Sequence, residues 1–147
     1  MAQLKQVIEK IKEFANGHGM INEVGVGSYY KIDTTTRKYP LMWITPTPST
    51  IVKTSIRLNF DIMFADILDG EESNLVDVWS DQLQNSCDFV SYFATDGGYE
   101  DFDLRLDEST VTIEPFMHLL DNECAGYFVR CTFVAPLALN PCANPIK

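Results

Sequence analysis

The chain has 147 residues, 46% of them hydrophobic, which suffices for one domain with its own core. Twenty-one acidic against 11 basic side chains leave a net charge of −10, opposing recognition of a phosphate backbone, which needs clustered Lys and Arg. The 4 cysteines form no C-x-x-C pair and have no His at zinc-finger spacing, so no structural metal is expected and free thiols in a reducing cytoplasm are the default.

Leu4, Val7, Ile8, Ile11, Phe14 and Ala15 recur at helical spacing with Lys5, Glu9, Lys12 and Glu13 outside, and Asn16 and Gly17 supply a stop. This amphipathic opening lacks an apolar signal core, and no run approaches the ~20 apolar residues of a membrane helix. "EVGVGSYYKID" and "KYPLMWITP" read as two short strands joined through "TTTR" as a hairpin or loop. "GVGS" is too short for a P-loop and lacks its Lys; it is expected to bend a strand or admit close backbone contact. Pro40 suits an edge or a strand's first residue, and "TPTPST" an extended bridge.

"IRLNFDIMF" alternates as a strand, and continues through Ala65 and Ile67 to about a dozen residues, or ~40 Å. Ile56, Leu58, Phe60, Ile62 and Phe64 belong to a core, whereas Arg57, Asn59, Asp61 and Met63 point the other way. "DGEES" predicts a turn and a helix start, with Ser73 as N-cap and Glu71, Glu72 and Asp77 favouring the helix dipole. Leu75, Val76, Trp79, Leu83, Cys87, Val90 and Phe93 then form an apolar stripe that predicts a second helix with this side buried, ending near "TDGG". "DFDLRL", "STVTIEPFMHLL" and "AGYFVRCTFVAP" read as strands, the last two joined by "LDNECAG", and the last is apolar enough on both sides to be central. The order predicts a single α+β domain over 1–136, a mostly antiparallel twisted sheet with two helices packed on one face and a long projecting strand, followed by a proline-rich arm at 137–147.

Chemistry is sparse. The acidic cluster Asp96, Glu100, Asp101, Asp103, Asp107 and Glu108 does not fit an EF-hand register and reads as a solvated face, with a weak cation site as the alternative. His18 and His118 have no Asp or Cys at a diagnostic local spacing, although a triad can be assembled from distant positions. Cys87, on the apolar stripe, and Cys131, in the last strand, read as small hydrophobes. Tyr29, Tyr30, Tyr39 and Trp43 could stack on bases, but without a basic groove they suit a sheet core or a subunit interface. No catalytic, cofactor-binding or metal-ligating residue is assigned, and no enzymatic activity is expected.

"RKYPLMWITP" with Tyr39, Pro40, Trp43 and Pro46, the long strand "IRLNFDIMFAD", the helix "NLVDVWSDQLQ" and the closing "AGYFVRCTFVAPLALNPCANP" together resemble the small neck and tail-completion proteins of tailed bacteriophages, tail terminators and head-to-tail joining proteins among them. Similar "YP-x-x-W" and "C-x-x-P" features, the latter from Cys142 to Pro145, occur in phages of gut Bacteroidetes. The resemblance implies a virion protein, assembled in the host bacterial cytoplasm into a homo-oligomeric ring of six or twelve copies. It implies portal, adaptor or other tail rings as neighbours, DNA only as non-specific passing cargo, and no membrane. An acidic lumen lets DNA slide without sticking; Asp61, Asp66, Asp69, Glu100, Asp101 and Asp103 are candidates for it. Arg57, Asn59, Asp61, Met63, Tyr39, Trp43, Pro141 and Pro145 are candidates for the subunit interface, so Asp61→Lys or Met63→Asp is expected to spoil assembly of a folded monomer. Two other readings compete: a small-molecule-binding module with a pocket lined by Trp43, Phe60, Phe64, Trp79 and Phe133, and, last, a metal-dependent phosphodiesterase-like enzyme built on the acidic cluster.

Overall fold

The computed structural model describes residues 4–28, 32, 37–95, 105–117 and 124–136. Two helices and seven strands follow one another as α1 (Leu4–Gly17), β1 (Glu23–Val26), β2 (Leu41–Pro46), β3 (Thr50–Val52), β4 (Ser55–Ile67), α2 (Leu75–Thr95), β5 (Arg105–Leu106), β6 (Thr112–Met117) and β7 (Cys124–Pro136), with one 3-10 turn at Glu108–Thr110. The strands form one mixed sheet, mostly antiparallel, as an α+β domain requires.

Its spine is the antiparallel pair β4 and β7, matched residue for residue from Ser55 opposite Pro136 to Ile67 opposite Cys124. Both strands are rich in β-branched and aromatic residues, which suit a pleated surface packed on two sides. The other edge of β4 is shared: β2 covers Phe60–Ala65 and β3 covers Ser55–Arg57. Between them the Pro46–Thr47–Pro48 run interrupts the ladder, since prolines lack the N–H to continue it, and the Thr47 N–H donates to the Asn59 carbonyl. The outer edge of β7 is likewise split between β6 and β5. Pro115 is tolerated in β6 because only one side of that strand is paired.

Residues 56, 58, 60, 62 and 64 of β4 do face the main core, which joins Leu58, Phe60, Ile62 and Phe64 to Val7, Ile11 and Phe14 of α1 and Phe89 and Phe93 of α2. Both helices therefore lie on one sheet face. Ring contacts fill the space: Phe60 meets Phe133 at 5.9 Å, Phe93 meets Phe133 at 5.2 Å and Phe64 meets Phe89 at 6.0 Å, all edge-on.

Two connections differ from the sequence-based expectation. The first two strands are not a hairpin: β1 runs parallel to β2, Glu23 opposite Leu41 through Val26 opposite Ile44, so the chain must cross back before entering β2. β7 begins at Cys124, one residue before the expected strand, and Ala125 and Gly126, which the expected strand shared with the expected turn, belong to the strand. Gly126 sits where a Cβ would come within 1.7 Å of the Phe64 carbonyl oxygen, so glycine is needed for the two strands to approach at this pair. The expected arm at 137–147 lies outside the described residues, and no helix among the described residues is long and apolar enough to cross a membrane.

Candidate assembly surfaces

The helix-free face of β4 divides into two halves. Toward its C-terminal end, Met63 and Ala65 join Leu41, Trp43 and Cys124 in a second apolar cluster bordered by Tyr39, Phe116 and Phe128. Met63 is 1% exposed and Trp43 6%. Of the interface candidates, these two are thus already spent inside the protomer, and Met63→Asp would bury a carboxylate in this cluster and unfold the chain instead of testing a contact.

The other half is polar and internally paired. Arg57 donates to Asp107 at 3.0 Å, the Asn59 amide donates to the Pro48 carbonyl at 2.7 Å while its oxygen accepts from the Thr132 hydroxyl at 2.6 Å, and Arg130 lies between Asp61 at 3.6 Å and Glu114 at 3.8 Å. Burial raises the Asp61 pKa above the ordinary carboxylate value, Arg130 opposes the shift and Glu114 adds to it. Arg57, Asn59 and Asp61 therefore form a cross-strand polar lattice that satisfies itself and stays open to one side. Tyr39 lies at the margin of the second cluster, and Pro141 and Pro145 fall outside the described residues.

Trp43 explains the glycines of β1. Its indole lies against Gly25, where a Cβ would come within 2.1 Å of the ring, and its Nε1 donates to the Gly27 carbonyl at 3.0 Å. Arg37 closes the other side with its guanidinium 4.9 Å from the ring centre, and is itself paired with Glu23 at 3.0 Å. The glycine motif thus admits a close contact, as one of the two sequence readings holds, and this stack consumes the aromatic face that base stacking would use.

The rotation of α2 departs most from expectation. The side turned to the sheet carries Val78, Phe89 and Phe93 at its ends but Gln82, Asn85 and Ser86 in the middle, at 1%, 2% and 0% exposure. Asn85 donates to the Gln82 side-chain oxygen at 3.2 Å and Ser86 to the Gln82 backbone carbonyl at 2.8 Å, while the Gln82 Nε2 has no partner among the described residues. Three residues of the expected buried stripe point outward: Val76 is 73% exposed, Leu83 39%, and Cys87 is exposed. Leu75, Trp79 and Val90 remain partly buried, with the Trp79 Nε1 donating to the Phe116 carbonyl at 3.0 Å. Cys131 is buried as expected, and burial pushes its thiol pKa far up, away from reactivity.

The acidic candidates do not converge. Asp66 lies on the helix-bearing side of β4, half-buried, its carboxylate accepting from the Ile67 N–H at 2.8 Å, and its pKa is raised by burial first and by Asp81 after it. Asp69 organises the loop before α2, accepting the N–H groups of Glu71 and Ser73 and the Ser73 hydroxyl, all of which lower its pKa. Ser73 is consequently not the N-cap. Asn74 occupies that position: its carbonyl accepts the Val78 N–H at 2.9 Å and its side chain bridges the Asp69 N–H and the Ile67 carbonyl. Glu100, Asp101 and Asp103 lie outside the described residues, as do Asp96, Tyr29, Tyr30, His118 and Cys142.

His18 has both ring nitrogens engaged, Nε2 with Asp88 at 2.8 Å and Nδ1 accepting the Met20 N–H at 3.1 Å, so the pair ties the end of α1 to α2. Among the described residues no three His, Cys, Asp or Glu side chains cluster as metal ligands would. A polar cleft of about 320 Å³ is lined by Ala94 and residues 105–109. The aromatic side chains proposed for an apolar pocket are elsewhere: Phe60, Phe64 and Phe133 are fully buried in the core. No protein-family model matches the chain, and no curated protein is significantly similar to it.

Proposed function

We propose that this chain is a structural subunit that assembles with copies of itself into a ring in the head-tail connector or tail of a tailed bacteriophage, stacked on portal, adaptor or other tail rings. The observation that carries the proposal is the outward face of α2, where Val76, Leu83 and Cys87 are exposed while Gln82, Asn85 and Ser86 take the middle of the inward face. Single exposed apolar residues need no explanation, but residues seven and four apart line one side of a helix and form a strip suited to a partner. The polar lattice of Arg57, Asn59 and Asp61 is a second surface suited to a wet contact, and the net charge of −10 keeps passing DNA from adhering to an acidic lumen. Native mass spectrometry over a range of concentration and salt tests the reading. A closed oligomer of six or twelve copies is expected; a monomer that retains a small molecule would replace the ring with a ligand-binding module.

A further inference from the structure

We infer that the exposed strip of α2 receives the β3–β4 hairpin tip of the next copy of the chain. This deepens the ring reading and rests on it. The tip carries two adjacent side chains of the remaining exposed apolar set, which also includes Leu4, Met20, Ile67 and Met117: Ile51 is 64% exposed and Val52 46%. Val52 pairs with Ser55 across a two-residue turn in which Lys53 adopts φ +56°, so the tip is held by its own ladder before it meets anything. From Ser49 to Arg57 it contains no acidic residue, and Arg57 is already bound to Asp107, which leaves Lys53 as the charge at the apex.

The strip has the complementary composition. Val76, Leu83 and Cys87 are accompanied by exposed Asp77 and Asp81, and α2 contains no Lys or Arg. An apolar tip carrying one cation therefore meets an apolar strip on a helix whose charged side chains are all acidic, so that the field of the helix attracts Lys53. The tip and the strip do not cover one another within one protomer, since both stay exposed. The tip lies at the Ser55 end of β4, while α2 begins beside Leu68 just past the other end, 13 residues and ~40 Å of strand away. Two different patches on one protomer make a heterologous contact, which closes into a ring or runs on as an open chain.

Cys87 provides the test. Ile51→Cys in a Cys142→Ser background, oxidised at high protein concentration, is expected to give disulfide-linked multimers that disappear when Cys87→Ser is added. Absence of multimers, or multimers that survive Cys87→Ser, would overturn the contact. Ile51→Asp and Leu83→Asp are each expected to weaken self-association at least 100-fold in sedimentation while leaving the circular dichroism spectrum of the protomer unchanged. A one-to-one mixture of the two should form a heterodimer through the one intact pair of patches, which a symmetric α2-to-α2 contact cannot do. If the native chain closes into a ring that neither variant loosens, this contact is wrong and the ring reading survives. If the cross-link forms but the native chain grows only open multimers, the contact stands and the ring falls.

Discussion

If α2 turns Gln82 and Asn85 to the sheet and Val76 to the outside, substitution should invert the usual expectation for an amphipathic helix. The Gln82 Nε2 is buried without a partner among the described residues, a state that costs about 1–3 kcal/mol, whereas the single Gln82–Asn85 hydrogen bond returns about 1 kcal/mol. Replacing both by apolar residues of similar size, Gln82→Met with Asn85→Leu, removes donor and acceptor together and is expected to stabilise the protomer by roughly 1 kcal/mol. In a chain of 147 residues that corresponds to a rise in Tm of about 2–4 °C. Val76, at 73% exposure, has little left to lose, so Val76→Ser should cost less than ~0.5 kcal/mol. A core site of the same helix behaves differently: Phe89→Ala should cost about 3–5 kcal/mol. Urea unfolding at a concentration where the chain is monomeric measures all three. A loss above ~2 kcal/mol for Val76→Ser together with a destabilised Gln82→Met/Asn85→Leu variant would refute the rotation and restore the apolar stripe as the buried side.

Four further substitutions test the sheet and its open face. Gly25→Ala places a methyl group against the Trp43 ring and is expected to cost at least ~2 kcal/mol and to red-shift the Trp43 emission, read in a Trp79→Phe background; an unshifted spectrum would remove the close contact. Burial raises the Asp66 pKa above 3.8, so folding binds a proton more readily there and stability falls as pH rises through the folded-state pKa. Asp66→Asn should therefore stabilise at pH 7, with the gain vanishing as pH falls towards 4; a gain independent of pH would show that ionisation is not its source. On the reverse face, Met63→Asp should abolish the folded near-ultraviolet spectrum, while Asp61→Lys, beside Arg130 at the open lattice, should leave the protomer folded and weaken assembly.

Periodicity is legible where one side of an element is plainly apolar and the other plainly charged. α1 meets that condition and the first half of β4 comes near it; the core-facing residues of β4 and, apart from the exposed Leu4, the apolar side of α1 fold as their spacing predicts. α2 fails it: Val76, Leu83 and Cys87 make a cleaner apolar stripe than Gln82, Asn85 and Ser86, and hydropathy does not distinguish the side covered by the chain's own sheet from an outward one. Alternation also says nothing of which strand lies alongside, so the parallel pairing of β1 and β2 was hidden. Some signals were present but undervalued. Polarity changes midway along the reverse face of β4, from Arg57, Asn59 and Asp61 to Met63 and Ala65, which marks where the second cluster begins. The Asp69, Gly70, Ser73 and Asn74 composition is that of a loop organised by side-chain oxygens. Gly126 inside a strand signalled close backbone approach, but only the fold names Phe64 as what approaches.

Net charge sets a condition on any contact between copies. Two protomers of this size have centres ~30 Å apart at contact. Charges of −10 on each then repel by an unscreened ~14 kcal/mol in water, reduced to ~5 kcal/mol when the Debye length is ~30 Å and to ~0.3 kcal/mol when it is ~8 Å. Any attraction between Lys53 and the acidic α2 is screened by the same salt. Burial of Ile51, Val52, Val76 and Leu83 does not depend on charge. Assembly should therefore strengthen as salt rises from 10 mM to 150 mM and then level off, a trend that sedimentation velocity at fixed protein concentration reads directly. An interface held mainly by ion pairs would weaken over the same range, and that result would refute an apolar tip on an apolar strip as the source of the contact.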